Sequence, residues 1–129
     1  MTASWYKLEL ETRHQLEADG YWCIRPGGSK GAADIVAAKP KPPPDALADW
    51  LIVLPEWLFV QCKESGTVSP AERGRLVELA GSLGAVALVA CWGTGGPRGG
   101  RTVEYRQLTG PGPRDWQPWT PNHAIGADQ

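Results

Sequence analysis

The sequence predicts a mixed α/β domain, a β-sheet flanked by helices in the order α-β-β-β-α-β-β. Three observations carry this. The chain opens on a stretch of strong helix formers that Gly20 stops. A second, capped amphipathic segment begins at Ser69. Around them lie short β-prone runs bounded by Gly and Pro. With 129 residues, the chain can build one core but not two ordinary ones, so a single domain is expected over 1–108.

The first helix is expected from Trp5 to Asp19, with Ser4 placed as its N-cap. Tyr21 to Arg25 reads as a strand that Pro26-Gly27-Gly28 ends, and Asp34 to Ala38 as a second. Lys39 to Asp45 (KPKPPPD) has too much proline to join a sheet and reads as a loop, the start of a Pro-rich insertion over about 39–56. Within it, Trp50 to Leu54 forms an extra strand or a turn. Trp57 to Lys63 is the clearest strand. The second helix has Ser69 as N-cap, Pro70 at its first position and Glu72 closing a capping box. Leu76, Leu79, Ala80 and Leu83 follow at helical spacing, and Gly84 is placed to end it. Ala85 to Trp92 is a continuous apolar run, hence a buried strand, and Arg101 to Leu108 alternates, so these two can pair as a hairpin. Residues 109–129 hold prolines and two tryptophans without periodicity, a tail draped on the surface or disordered. Trp22, Trp57 and Trp92 are expected in the core, and Trp116 and Trp119 at an edge or interface.

Composition excludes several classes. No apolar run reaches the roughly 18 residues of a membrane helix, and the acidic N-terminal stretch lacks the apolar segment of an export signal, so no membrane role and a cytoplasmic location are expected. Cys23, Cys62 and Cys91 are odd in number and show no metal spacing, which favours reduced core thiols. The run GGSKG lacks the P-loop pattern, which excludes a nucleotide cofactor of that kind. His14 and His123 have no ligand spacing. The formal charge of −1 argues against a broad nucleic-acid coat, yet Arg98, Arg101, Arg106 and Arg114 face only Glu104, a local excess of three positive charges.

The chemistry-bearing residues sit on the strands. Side chains alternate along a strand, so Gln61 and Lys63 share one face while Cys62 points to the other. Asp34 leads an otherwise apolar segment, where a carboxylate needs a partner or a metal. Were these two strands neighbours, an acid, an amide oxygen and an ammonium would converge. Such a layout suits a Mg²⁺-dependent phosphodiesterase, in which oxygen ligands hold a hard cation and a lysine offsets charge developing on the phosphate.

Glu9 followed by Gly20, then Tyr21-Trp22-Cys23-Ile24-Arg25, Gly28-Ser29-Lys30-Gly31, Asp34-Ile35-Val36-Ala37 and Val60-Gln61-Cys62-Lys63, resemble the archaeal-type Holliday junction resolvases and their phage relatives, in the PD-(D/E)XK nuclease superfamily. The resemblance spans roughly residues 5 to 92. It implies a restriction-endonuclease-like mixed β-sheet and a structure-selective endonuclease that resolves four-way DNA junctions as a homodimer, with Mg²⁺ as cofactor and Mn²⁺ able to substitute. By position, Glu9 matches the acid on the first helix, Asp34 the central metal-binding aspartate, Gln61 a position usually held by glutamate, and Lys63 the catalytic lysine. Catalysis is therefore expected of Glu9, Asp34, Gln61 and Lys63. Metal binding is expected of Glu9, Asp34, Gln61 and the Cys62 backbone carbonyl, and DNA contact of Arg25, Ser29 and Lys30. Glu11 lies too far around the helix to share a face with Glu9.

Two departures from the family pattern stand out: Ala33 replaces the proline that names the superfamily, and Gln61 replaces glutamate. The second removes a negative charge from the metal site, although an amide oxygen can still coordinate a hard cation. Two other readings therefore stay open, a different repair or restriction nuclease of the superfamily, and a DNA-binding protein that has lost catalysis at Gln61.

Overall fold

The computed structural model describes residues 4–26, 33–40, 55–93 and 102–121, with the side chains of Ser4, Trp5 and Pro40 left aside. Helix α1 (Ser4–Ala18) leads into β1 (Trp22–Ile24), β2 (Ile35–Pro40) and β3 (Pro55–Cys62). Helix α2 (Pro70–Ser82) then carries the chain to β4 (Val86–Gly93), β5 (Thr102–Leu108) and β6 (Trp116–Trp119). The strands lie in one sheet in chain order, antiparallel except that β3 and β4 run parallel, which is why a crossover helix joins those two.

Alternation along the strands assigns each face a helix. Leu58, Val60 and Cys62 of β3, with Leu88 and Ala90 of β4, pack beneath Leu8 and Leu16 of α1. Phe59 and Ala87 turn the other way and meet Leu76 and Ala80 of α2. The start of α2 is as expected: Ser69 Oγ accepts from the Glu72 amide at 3.1 Å, and Glu72 Oε1 accepts from the Ser69 amide at 3.0 Å. Gly84 follows the helix at φ 68°, the left-handed conformation that favours glycine. At the sheet end remote from Asp34, Lys39 pairs with Asp19 at 2.9 Å and lies over the Tyr21 ring, whose hydroxyl donates to Glu56.

Several expectations are corrected. Ser4 is the first residue of α1 rather than a cap before it. Residues 116–119 form β6 on the sheet edge, and Trp119 meets Tyr105 edge-to-face at 5.2 Å, tying this part of the tail to the α1-side core. Pro118 is tolerated because β6 has a neighbour on one side only among the described residues. Lys39 and Pro40 also join the sheet. They extend past the end of the three-residue β1, so that flank of β2 asks no amide of Pro40. Trp22 is not core but 63% exposed, on a short outer strand whose Cys23, not Trp22, turns to the α1-side core. Trp57 and Trp92 are half-buried against the two clusters. All three cysteines are free, with Cys62 and Cys91 buried. The extra element over 50–54 falls outside the described residues, and among those described no helix is long and apolar enough to cross a membrane.

Candidate metal and phosphodiester site

The site forms where β2 begins and β3 ends, an arrangement set by their antiparallel register. Ile35 faces Val60, so one rung further Asp34 stands level with Gln61. Asp34 is tied to β3 twice: its amide donates to the Val60 carbonyl at 2.8 Å, and its Oδ2 accepts from the Cys62 amide at 2.8 Å. The second bond fixes the carboxylate against the strand that carries Gln61 and Lys63. Val60 and Cys62 point into the α1-side core, which turns Gln61 between them to the α2 face. Lys63 continues the ladder through its amide, which donates to the Ala90 carbonyl at 2.9 Å. Its ammonium lies 2.9 Å from Glu72 Oε2, on α2.

Glu9 reaches the same end of the sheet from the opposite side. It is 3% exposed, whereas Glu11 and Glu17 on the same helix are exposed, so the structure selects Glu9 among the three acids. Its Oε2 lies 2.6 Å from Arg25 Nε, and that arginine side chain is 51% exposed. Burial raises the Glu9 pKa above the ordinary carboxylate value; Arg25 opposes this and the Asp34 carboxylate adds to it. The Cys62 thiol is pushed up to about 12, by burial first and then by the charges of Asp34 and Glu9. Glu9, Asp34 and Cys62 are therefore electrostatic neighbours, with Gln61 and Lys63 leaving the same strand beside them.

Among the described residues, no three His, Cys, Asp or Glu side chains cluster to hold a metal ion. The position level with Asp34 carries the amide of Gln61, which leaves Glu9 and Asp34 as the carboxylates. Two buried or tethered carboxylates that repel each other, next to a neutral amide oxygen, are oxygen donors suited to a hard divalent cation. Of the backbone of Cys62, the structure shows the amide engaged, by Asp34. Ser29 and Lys30 lie outside the described residues.

Sequence reasoning read Glu72 as a helix cap alone and missed its second oxygen on Lys63. It also missed Arg13, one turn along α1 from Glu9, whose charge acts on the Glu9 carboxyl. The four-residue spacing of Glu9 and Arg13 was the available signal.

No family model matches the chain, and no curated protein sequence matches it. Among solved structures, the chain is similar to Hjc from Archaeoglobus fulgidus, a Holliday junction resolvase from an archaeal hyperthermophile. The likeness has a TM-score of 0.51 at 22% identity and covers 80% of this chain and 71% of that one. At that identity the shared property is the fold, a mixed sheet with helices on its two faces, and the resemblance drawn from the sequence motifs is met at that level.

Proposed function

We propose that the chain is a metal-dependent endonuclease that cuts branched DNA, with four-way junctions as its substrate and a homodimer as its working form. One observation carries the reading: Asp34 and Gln61 meet on adjacent strands, with Lys63 two residues on and buried Glu9 beside them, in a fold shared with a junction resolvase. Glu9, Asp34 and Gln61 would hold Mg²⁺ or Mn²⁺, and the Cys62 carbonyl is the further ligand expected. The ion would supply Lewis-acid polarisation of the scissile phosphate and lower the pKa of water.

The chain's own residues divide the remaining work. Asp34, anchored through the Cys62 amide, keeps its carboxylate oriented without a conformational search. Lys63 places a positive charge where the phosphate gains negative charge in the transition state. Arg25, half exposed beside Glu9, contacts the DNA backbone, and Ser29 and Lys30, which follow it in sequence, are assigned the same role. A four-way junction is nearly two-fold symmetric and needs two cuts, which a symmetric dimer with two sites supplies. Its recognition rests on shape and phosphate spacing rather than base edges.

A mixture of labelled four-way junction and linear duplex of the same sequence, incubated with Mg²⁺ or Mn²⁺, tests this. Paired cuts in the junction are expected, lost in Lys63→Ala; equal cutting of both DNAs would end the claim of junction selectivity. A second reading is favoured by the single observation that Gln61 leaves two carboxylates at the site: a junction-binding protein without chemistry. Tight metal-independent junction binding with no cleavage by either the native chain or Gln61→Glu would establish it.

A further inference from the structure

We propose that Glu72 is the positioning residue for Lys63, holding its ammonium at the α2 side of the site while it caps the helix. The inference rests on the nuclease reading and adds a residue to it. Lys63 leaves the end of β3 on a flexible four-carbon stem and is 32% exposed in its side chain, so the strand alone leaves the ammonium free to sample many positions. Glu72 removes that freedom through the division of its two oxygens. Oε1 accepts from the Ser69 amide at 3.0 Å and Oε2 from Lys63 Nζ at 2.9 Å.

The anchor itself is stiff. Pro70 fixes the first turn of α2, and Ser69 Oγ returns a bond from the Glu72 amide at 3.1 Å. One residue further, buried Arg73 donates to the carbonyls of Val68 at 3.2 Å and Pro111 at 3.3 Å, fastening the helix start to the chain on both sides. Lys63 is thus hitched to a braced helix terminus nine residues away in sequence. A pair in which each side chain is about one-third exposed adds little to stability, so its consequence is placement.

Glutamine separates the two roles of Glu72. It serves in a capping box as glutamate does, but where glutamate offers Lys63 a second, charged oxygen it carries an NH₂ group, so the Lys63 ammonium loses its ionic acceptor. The experiment compares the native chain, Glu72→Gln, Ser69→Ala and Lys63→Ala, measuring kcat and KM for Mg²⁺-dependent cleavage of a four-way junction and ¹⁵N relaxation of the Lys63 ammonium. Glu72→Gln is expected to lower kcat roughly tenfold to hundredfold with KM unchanged, and to increase the mobility of the Lys63 ammonium. Ser69→Ala, which removes the Oγ bond but keeps the Ser69 amide on Oε1 and Lys63 on Oε2, is expected to change kcat and ammonium order much less than Glu72→Gln does.

Native kcat and unchanged ammonium order in Glu72→Gln, alongside loss of cleavage in Lys63→Ala, would overturn the positioning role and leave the nuclease reading standing. A rise in kcat would also overturn it. If the native chain does not cleave, the nuclease reading fails instead; if Lys63→Ala cleaves normally, the assignment of Lys63 to the site fails and its positioning by Glu72 has no catalytic consequence. Relaxation then still decides whether Glu72 restrains Lys63, with unchanged order in Glu72→Gln counting against it.

Discussion

On the α1 face of the sheet, Leu8, Leu16, Ile35, Leu58, Val60 and Leu88 are all fully buried, and Glu9 is sealed among such neighbours at 3% exposure. On the α2 face the cluster packed against the helix is smaller, Ala33, Phe59, Leu76, Ala80 and Ala87, and the charged pair there, Lys63 with Glu72, is about one-third exposed. The two halves of the site inherit these surroundings. Glu9 is an acid held by burial and by its ion pair with Arg25, and burial raises its pKa. Lys63 is a base held by a hydrogen bond to a helix cap, in contact with water. Both groups have a charged partner, but the face that carries most of the core encloses its carboxylate, whereas the thinner face leaves its ammonium and that partner in contact with water.

Packing gives the largest expected contrast between the faces. Leu16→Ala, beneath the α1 face, should cost about 2–5 kcal/mol in urea-unfolding experiments, because neighbours close the cavity only in part. Leu83→Ala, at the exposed end of α2, should stay within about 0.5 kcal/mol of the native chain. Similar losses at both positions would mean that Leu83 is covered in solution, and the comparison of the faces would have to be redrawn.

A smaller effect probes the missing charge between them. Gln61→Glu puts a third carboxylate level with Asp34 and should tighten Mn²⁺ binding about tenfold in calorimetric titrations. It should also lower stability when no metal is present, since three acids then share one end of the sheet. Unchanged Mn²⁺ affinity would place the ion away from Gln61.

Legibility in the sequence followed the range of the interactions. The capping box at Ser69 and Glu72 is local, and it was readable in four consecutive residues. The face assignments of Gln61, Cys62 and Lys63 followed from strand alternation alone. Convergence of Asp34 and Gln61 was conditional on strand pairing, which the register from Ile35 and Val60 supplies. Where one rule overrode another, the reading failed. Pro118 argued against a strand, yet an edge position makes no demand for its missing amide. Trp22 looked like core by residue type, but its strand is only three residues long and lies on the outside of the sheet. Glu72 was hidden for a different reason: one local role accounted for the residue, and nothing in the spacing reveals that a carboxylate has a second oxygen in use.

The smallest effect is in the response of the two faces to acid, and there the signs are opposite. Lys63 and the Ser69 amide hold the Glu72 carboxyl down at about 2, below its ordinary 4.5. Its stabilising contribution is therefore complete above about pH 4.5 and is lost as the pH falls toward 2. Because the pair is wetted, the loss should stay below about 1 kcal/mol. Glu9 is raised instead, chiefly by burial, so its folded form favours the proton. Its contribution is present below 4.5 and lost as the pH rises through its folded value, which means that acid relieves a strain at Glu9 while it removes a support at Glu72. Urea unfolding of the metal-free native chain, Glu9→Gln and Glu72→Gln across pH 2 to 7 separates the two. The advantage of the native chain over Glu72→Gln should shrink toward low pH, and its disadvantage relative to Glu9→Gln should shrink as well. If instead the native chain held a growing advantage over Glu9→Gln as the pH rose, the Arg25 contact would outweigh burial at Glu9, and the buried acid would be a support of the fold like its counterpart on α2.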